Sequence, residues 1–503
     1  MILHIDGGVN RYYVETLCMV FFPGATFSGS EQPGPDTPEV TVSLRREEGV
    51  VVASAGFRVG EKATSGEGAS EISEDNNASR AEKIAVGRAV FAAGKAFFSY
   101  TPPWGILTGV RPAKVATELI RKGNGIRQSR AVLRDEYFLN PRKAALAVTV
   151  ASNEMKLTSK LPGNLCSVYI SIPFCPSRCA YCSFVSYTSG KLLSLIDDYL
   201  LELYRDIDDT FATIRELGLR VATVYIGGGT PTVLSAEQMT RLLAKIGEHV
   251  DPSTLLEFTV EAGRPDTITR DKLDAIRDGG AGRISVNPQT LSDEVLRSIG
   301  RHHTVEDFYR AYQVAREAGI GAINVDMIAG LPEDTFHIFS ESFDKILALA
   351  PENITVHTFC VKRSAALRQK DGIYALGSAD AAKSVEYSQM RTKLAGYRPY
   401  YMYRQKNTVG NLENVGYALP GTEGLYNIFM MEELHTIFAV GAGAVTKLVR
   451  RSLAGGDNSV IERIFMPKYP YEYLRDAERL RLGDAEASLL PKRERILSFY
   501  QGG

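Results

Sequence analysis

The chain has 503 residues, 44% of them hydrophobic, which is enough apolar material for a sizeable core. Its 58 Lys and Arg are balanced by 59 Asp and Glu, a formal net charge of −1 that excludes a global field recruiting nucleic acid or an anionic membrane. No apolar run approaches the roughly 20 residues of a membrane span, and the N-terminus MILHIDGGVNRYY lacks a cationic leader followed by an apolar segment, so the expectation is a cytoplasmic protein.

At about 150 residues per domain the length predicts two to four domains, and no short-period repeat is visible. In chain order, the runs YYVETLCMVFF (12–22) and VVVASAGFRV (50–59) read as strands. Two polar, Gly-, Pro- and Ser-rich stretches, Ser28–Pro38 and Thr64–Ser79, read as loops. Arg80–Tyr100 reads as an amphipathic helix, and further helical patterns fill Pro112–Lys160. Residues 1–160 are therefore expected to form an α+β domain of their own.

From Cys166 the pattern changes. Strands are expected at 166–173, 221–226, 256–261, 283–288, 323–328 and 353–360. Helices are expected between most of them, at Leu192–Leu217, Ser235–Val250, Thr269–Asp278, Asp307–Ala318 and Phe336–Ala350, with Ser235 and Gln238 forming a capping box. Six alternating βα units predict an α/β fold, a parallel sheet curling into a partial (βα)6 barrel over residues 161–385. In such barrels the chemistry sits at the C-terminal ends of the strands. Residues 386–503 are less periodic and are expected to form a C-terminal extension that covers the substrate.

Six cysteines are present, Cys18, Cys166, Cys175, Cys179, Cys182 and Cys360. In a long chain of this kind they are free thiols or metal ligands rather than disulfides. Three fall in YISIPFCPSRCAYCSF, a C-x3-C-x2-C pattern directly after the first barrel strand. Pro173 and Pro176 discourage regular structure there, which leaves the thiols on an irregular loop. Three thiolates can hold three irons of a cubane and leave the fourth iron open, whereas four would saturate it. A structural zinc would want a fourth ligand, and no His is near.

This pattern, with Tyr181 before the last Cys, resembles that of radical S-adenosylmethionine (SAM) enzymes. That resemblance implies a [4Fe-4S] cluster on Cys175, Cys179 and Cys182. SAM would chelate the open iron and be cleaved to methionine and a 5′-deoxyadenosyl radical. YISIPFC, GGGTP, RISVNPQT, the Arg twelve residues after Gln289, and INVDMIAGLPEDT further resemble the oxygen-independent coproporphyrinogen III oxidase family, also called coproporphyrinogen dehydrogenases. The segments GILTGVRPAK (105–114) and YRQKNTVGNLENVGY (403–417) resemble its long, Gram-positive-type members. Carried over by position, Tyr169 and Tyr181 would pack by the cluster and SAM, and Gly228, Gly229 and Thr230 would meet the SAM amino group. Arg301 would pair with its carboxylate, Gln289 and Asp326 would hold its ribose with Glu261 near the same ligand, and Phe359 and Cys360 would line the adenine with backbone atoms.

The family reaction oxidatively decarboxylates two propionates of coproporphyrinogen III to give protoporphyrinogen IX. Its tetracarboxylate substrate calls for cationic side chains, for which Arg111, Lys114, Arg404 and Lys406 are the candidates. The resemblance also implies an electron donor such as flavodoxin or ferredoxin, and a monomer. Two departures stand out. Porphyrinogen-oxidising members often carry a further Cys where this chain has Phe184. Haem-chaperone relatives carry an H-N-x-x-Y-W motif where this chain reads Tyr426-Asn427-Ile428-Phe429-Met430-Met431. A haem-binding chaperone that keeps a radical SAM core, or a radical SAM enzyme with another substrate, are the alternatives.

Overall fold

A computed structural model describes the chain apart from residues 28–33, 35, 75, 183–187, 361–377, 451–458, 482–490 and 503. Phe184 and most of the Ser28–Pro38 stretch therefore lie outside the described residues. The chain divides into two compact units.

The first unit is Met1–Met155 with Met402–Asn414 and the described residues of Gly372–Ala382. Its elements are β1 (Ile2–Asp6), α1 (Arg11–Phe21), β2 (Glu39–Glu47), β3 (Val50–Val59), β4 (Lys62–Glu71), α2 (Ala78–Phe98), α3 (Pro112–Arg121), α4 (Ile126–Asp135) and α5 (Pro141–Thr158). The four strands form a sheet in the order β1-β2-β3-β4. β1 lies parallel to β2, and the other pairs are antiparallel. Inside this unit Lys143 and Glu413 form a fully buried ion pair at 2.6 Å, and the Trp104 indole N–H donates to the same carboxylate at 2.9 Å.

Two sequence expectations are corrected here. The run 12–22, read as a strand, is helix α1, capped by Asn10, whose side chain accepts from the Tyr13 N–H at 3.0 Å. Its buried Val14, Leu17, Cys18 and Phe21 repeat at helical spacing, a period hidden by the apolar residues between them. Half of Thr64–Ser79, read as a loop, is strand β4, paired along its length with β3, and the last two residues of the stretch open helix α2. The small residues of β4 serve close packing. A Cβ on Gly66 would lie 2.5 Å from the Ala93 backbone N of α2, and one on Gly68 would lie 2.3 Å from the Ala85 carbonyl.

The second unit is built on six parallel strands in sequential order: β5 (Leu165–Ile172), β6 (Arg220–Gly228), β7 (Glu257–Gly263), β8 (Arg283–Val286), β9 (Ala322–Ala329) and β10 (Asn353–Thr358). Between them run α6 (Gly190–Leu193), α7 (Ile196–Glu216), α8 (Ala236–Gly247), α9 (Arg270–Asp278), α10 (Asp293–Ser298), α11 (Val305–Glu317) and α12 (Phe336–Ala348). The strands are buried almost throughout, as parallel strands covered by crossover helices must be. The capping box of α8 is formed. Ser235 Oγ accepts from the Gln238 N–H at 3.1 Å, and Gln238 Oε1 accepts from the Ser235 N–H at 2.9 Å.

After the sixth strand come α13 (Ser378–Leu394), β11 (Arg398–Arg404), β12 (Glu413–Ala418), α14 (Leu425–Glu432), β13 (Ile437–Val440), β14 (Val445–Arg450), β15 (Val460–Phe465), α15 (Pro470–Arg481) and α16 (Pro491–Gln501). Their strands extend the sheet on both sides, giving the order β11-β12-β10-β9-β8-β7-β6-β5-β13-β14-β15. The fold is thus α/β, with the partial barrel as its centre and a C-terminal extension. Among the described residues no helix is long and apolar enough to cross a membrane.

Candidate functional site

The cysteine loop leaves the end of β5 and is braced by the end of β6. The Gly229 N–H donates to the Ile172 carbonyl and the Thr230 N–H to the Phe174 carbonyl, both at 2.8 Å. Phe174 is buried edge-on against Tyr199, 5.2 Å between ring centres, and anchors the loop root. Gly228 holds φ +113°. A Cβ on Gly229 would lie 2.4 Å from the Phe174 carbonyl oxygen and 2.9 Å from Cys175 Sγ. Only glycine allows this approach of strand end to loop. The buried Cys175 thiol sits 3.3 Å from Thr230 Oγ1.

Cys179 and Cys182 are half-buried and close a turn through the Cys182 N–H and the Cys179 carbonyl at 3.1 Å. The Ala180 N–H donates to the Ile299 carbonyl, just past α10. None of the six cysteines, all among the described residues, is disulfide-bonded. Burial pushes Cys18 up to about 12 and Cys166 higher still, so neither is poised as a thiolate.

Arg301 is buried on the other side of the loop. Its Nε donates to Tyr181 Oη at 3.4 Å and its Nη1 to the Asn287 carbonyl at 3.1 Å. Burial works against its charge, but Tyr181 and Cys179 beside it keep the guanidinium protonated. Gln289 follows β8 with φ +71°, bridged to β9 through the Asp326 carbonyl and the Ile328 N–H. Its side-chain Oε1 is buried with no hydrogen-bond partner among the described residues. His303 is also buried, both ring nitrogens without a partner among the described residues, and burial and Arg301 hold it down to about 4, a neutral imidazole. Further along the strand ends, the Phe359 N–H donates to the Ala329 carbonyl at 2.9 Å, and Cys360 is half-buried.

A polar set spans the sheet. Tyr225 Oη donates to the Glu261 carboxylate. Asn324 Nδ2 donates to Asp326 Oδ1 at 2.7 Å, and His357 Nε2 lies 3.5 Å from Asp326 Oδ2. Tyr169, Tyr225 and Tyr426 stack beside this set, with Tyr225 and Tyr426 rings 4.4 Å apart. Sequence reasoning assigned no site role to Tyr225 or His357, and Tyr426 stood out in it only at the position of the chaperone His. For Tyr225 a signal existed, because strand alternation puts it on the face of Gly227, next to Tyr169 on β5. Tyr426 comes from α14 and had no local signal.

Burial first, and then Asp326, push the Glu261 carboxyl from its ordinary 4.5 up to about 7. Because the folded value is the higher one, the stability tied to Glu261 is full below about 4.5 and is lost as pH rises through about 7. A ligand-free Glu261→Gln chain should therefore lose less thermal stability than the parent between about pH 5 and pH 8. The difference near pH 8 should be on the order of 3 kcal/mol. Parallel slopes in thermal unfolding across that range would show that Glu261 is not held this way.

The four candidate substrate cations belong to the first unit. Arg404 is buried, donates to the Leu107 and Asn411 carbonyls, and lies over the Trp104 ring at 5.5 Å. Lys406 donates to Tyr12 Oη at 2.6 Å. Arg111 directly precedes α3, and Lys114 lies in its first turn.

The family description "Radical SAM superfamily" matches residues 169–346. Over 377 residues, 74% of each chain, the protein is 39% identical to the oxygen-independent coproporphyrinogen-III oxidase-like protein HemZ of Bacillus subtilis. The chain belongs to the coproporphyrinogen oxidase-like family of radical SAM proteins. The chain is also 31% identical to the heme chaperone HemW of Bacillus subtilis, over 61% of this chain and 77% of HemW. Among solved structures, coproporphyrinogen III oxidase (HemN) of Escherichia coli aligns with a TM-score of 0.47 at 22% identity, covering 67% of this chain and 78% of that one. The cofactors of the radical SAM family are a [4Fe-4S] cluster and SAM.

Proposed function

We propose that the protein is an oxygen-independent coproporphyrinogen III oxidase, which decarboxylates two propionates of its substrate to vinyl groups. The observation that carries this reading is the donor set at the strand ends. Three thiols on one loop stand with a charged, buried guanidinium and with a buried amide oxygen that has no hydrogen-bond partner among the described residues.

These residues fit the family cofactors. Cys175, Cys179 and Cys182 would hold the cluster. Arg301 would pair with the SAM carboxylate, Gln289 and Asp326 would accept from the ribose hydroxyls, and Gly228, Gly229 and Thr230 would present backbone to the amino group. Glu261, Tyr169 and Tyr181 would wall the same ligand, with Phe359 and Cys360 beside the adenine. When bound, the cluster and SAM supply a carbon radical able to take an unactivated hydrogen, which side chains alone cannot do. The chain's own part is to orient that ligand, exclude water and keep fixed charge at the strand ends. His303, neutral and buried, adds no second cation beside Arg301. Flavodoxin or ferredoxin would deliver the electron, and Arg111, Lys114, Arg404 and Lys406 remain the candidates for meeting propionates.

The second reading, a haem chaperone, is favoured by the similarity to HemW. Against it stands Tyr426. At the position where the chaperone motif has its His, this chain has a buried tyrosine stacked on Tyr225. The test is an anaerobic incubation of the reconstituted chain with SAM, a strong reductant and coproporphyrinogen III. Carbon dioxide and protoporphyrinogen should form together with 5′-deoxyadenosine and methionine. SAM cleavage without decarboxylation would reject this substrate. No cleavage, with a stoichiometric Soret complex on adding hemin, would make the chaperone the better reading.

A further inference from the structure

Arg264 appears in none of the roles above, yet it is built into the cysteine loop. It follows β7, directly after Gly263 at φ +52°. Its backbone is pinned, with the Arg264 carbonyl accepting from the Thr267 N–H at 3.0 Å and from Thr267 Oγ1 at 2.8 Å. The side chain is only 5% exposed. Asp266 grips one edge of the guanidinium, with Nε to Oδ1 at 3.2 Å and Nη2 to Oδ2 at 3.3 Å. The remaining nitrogen, Nη1, turns toward the loop. It donates to the Ser177 carbonyl at 3.1 Å and to Cys179 Sγ at 3.9 Å.

We propose that Arg264 is a positioning residue that sets the reduction potential of the cluster, donating to the Cys179 sulfur while Asp266 offsets part of its charge. The inference rests on the reading that Cys175, Cys179 and Cys182 hold that cluster. Its physical basis is charge. Reduction adds one electron to a group already rich in thiolate and sulfide, so a donor or cation at a ligating sulfur favours the reduced form and raises the potential. Burial keeps water from screening the effect. The forked grip of Asp266 fixes which nitrogen faces the loop, something a lysine could not reproduce. A plain loop clamp makes a different forecast. Removing it would lower the amount of cluster held and leave the potential of the remainder unchanged.

The experiment is a redox titration of the full-length, anaerobically reconstituted chain without SAM, followed by electron paramagnetic resonance, with iron content measured on every sample. In Arg264→Gln the ratio of reduced to oxidised cluster at the parent midpoint should fall on the order of tenfold, a negative shift of about 59 mV for a one-electron couple. Arg264→Lys should fall between the two. Asp266→Asn, which frees the cation from its counter-charge, should move the midpoint the other way. Loaded Arg264→Gln and Asp266→Asn chains that titrate at the parent midpoint would overturn the proposal. Should Arg264→Gln retain too little iron to titrate, the sign of the Asp266→Asn shift decides. A parent chain that takes up no four-iron cluster would instead overturn the three-cysteine reading, and this proposal with it.

Discussion

Replacing Cys175, Cys179 or Cys182 with Ala should give folded protein that takes up essentially no [4Fe-4S] cluster, against about four irons and four sulfides per parent chain and a broad absorbance near roughly 400 nm. The expectation is all-or-none because a three-thiolate site has no ligand to spare. Local structure predicts that the fold survives. The loop root is fixed by Phe174 and by backbone bonds from Gly229 and Thr230, none of which needs a thiol. Cys18, Cys166 and Cys360 are the controls. Cys18 lies inside α1 and Cys166 inside β5, both buried, so alanine there should leave iron content unchanged. Cys360 is the informative control, because it is half-buried after β10. A Cys360→Ala chain without iron, beside a Cys182→Ala chain that keeps it, would overturn the ligand assignment.

Arg301→Ala should weaken SAM binding to the cluster-loaded protein by about 2–5 kcal/mol while leaving iron content intact. The size follows from desolvation. Arg301 is buried, and only Tyr181 Oη and the Asn287 carbonyl share its guanidinium among the described residues. A carboxylate arriving there would find a charged donor with little competing water, and truncation would leave that carboxylate unpaired. Arg301→Lys should recover only part of the loss, since an ammonium cannot reproduce the fork. Asp326→Ala should also bind poorly, through lost contacts to the ribose. Calorimetric titration with SAM under anaerobic conditions measures both, and unchanged affinity in the two alanine chains would remove these residues from the site.

Much of this was legible in the sequence because the relevant signals are local. Three cysteines within eight residues announce a metal loop wherever the fold puts them. The six strands and the helices between them show in hydrophobic period, which parallel βα units write strongly. The resemblance to known motifs then pointed to Glu261 near the end of β7, Gln289 just after β8 and Asp326 within β9. What escaped is tertiary. Arg264 and Ser177 are far apart in the chain, and nothing near RPDT hints that its guanidinium reaches back to the cysteine loop. Tyr426 reaches Tyr225 only because α14 folds over the barrel strands. In the first unit, α1 was misread because apolar residues fill both faces of its pattern. β4 was misread because glycines and polar residues that look like loop material are what a strand needs when a helix backbone lies against it.

The strand that leads into the cysteine loop is completed late. On one side β5 pairs with β6, but its other neighbour is β13, with Ser167 opposite Ile437. At ribosomal rates of about 5–20 residues per second, that second edge stays open for on the order of tens of seconds after β5 has left the exit tunnel. During this interval the nascent chain carries an unpaired edge, a template for mispairing, beside three exposed thiols. A finished site therefore waits on β13, which is made far downstream of the cysteines it helps to position.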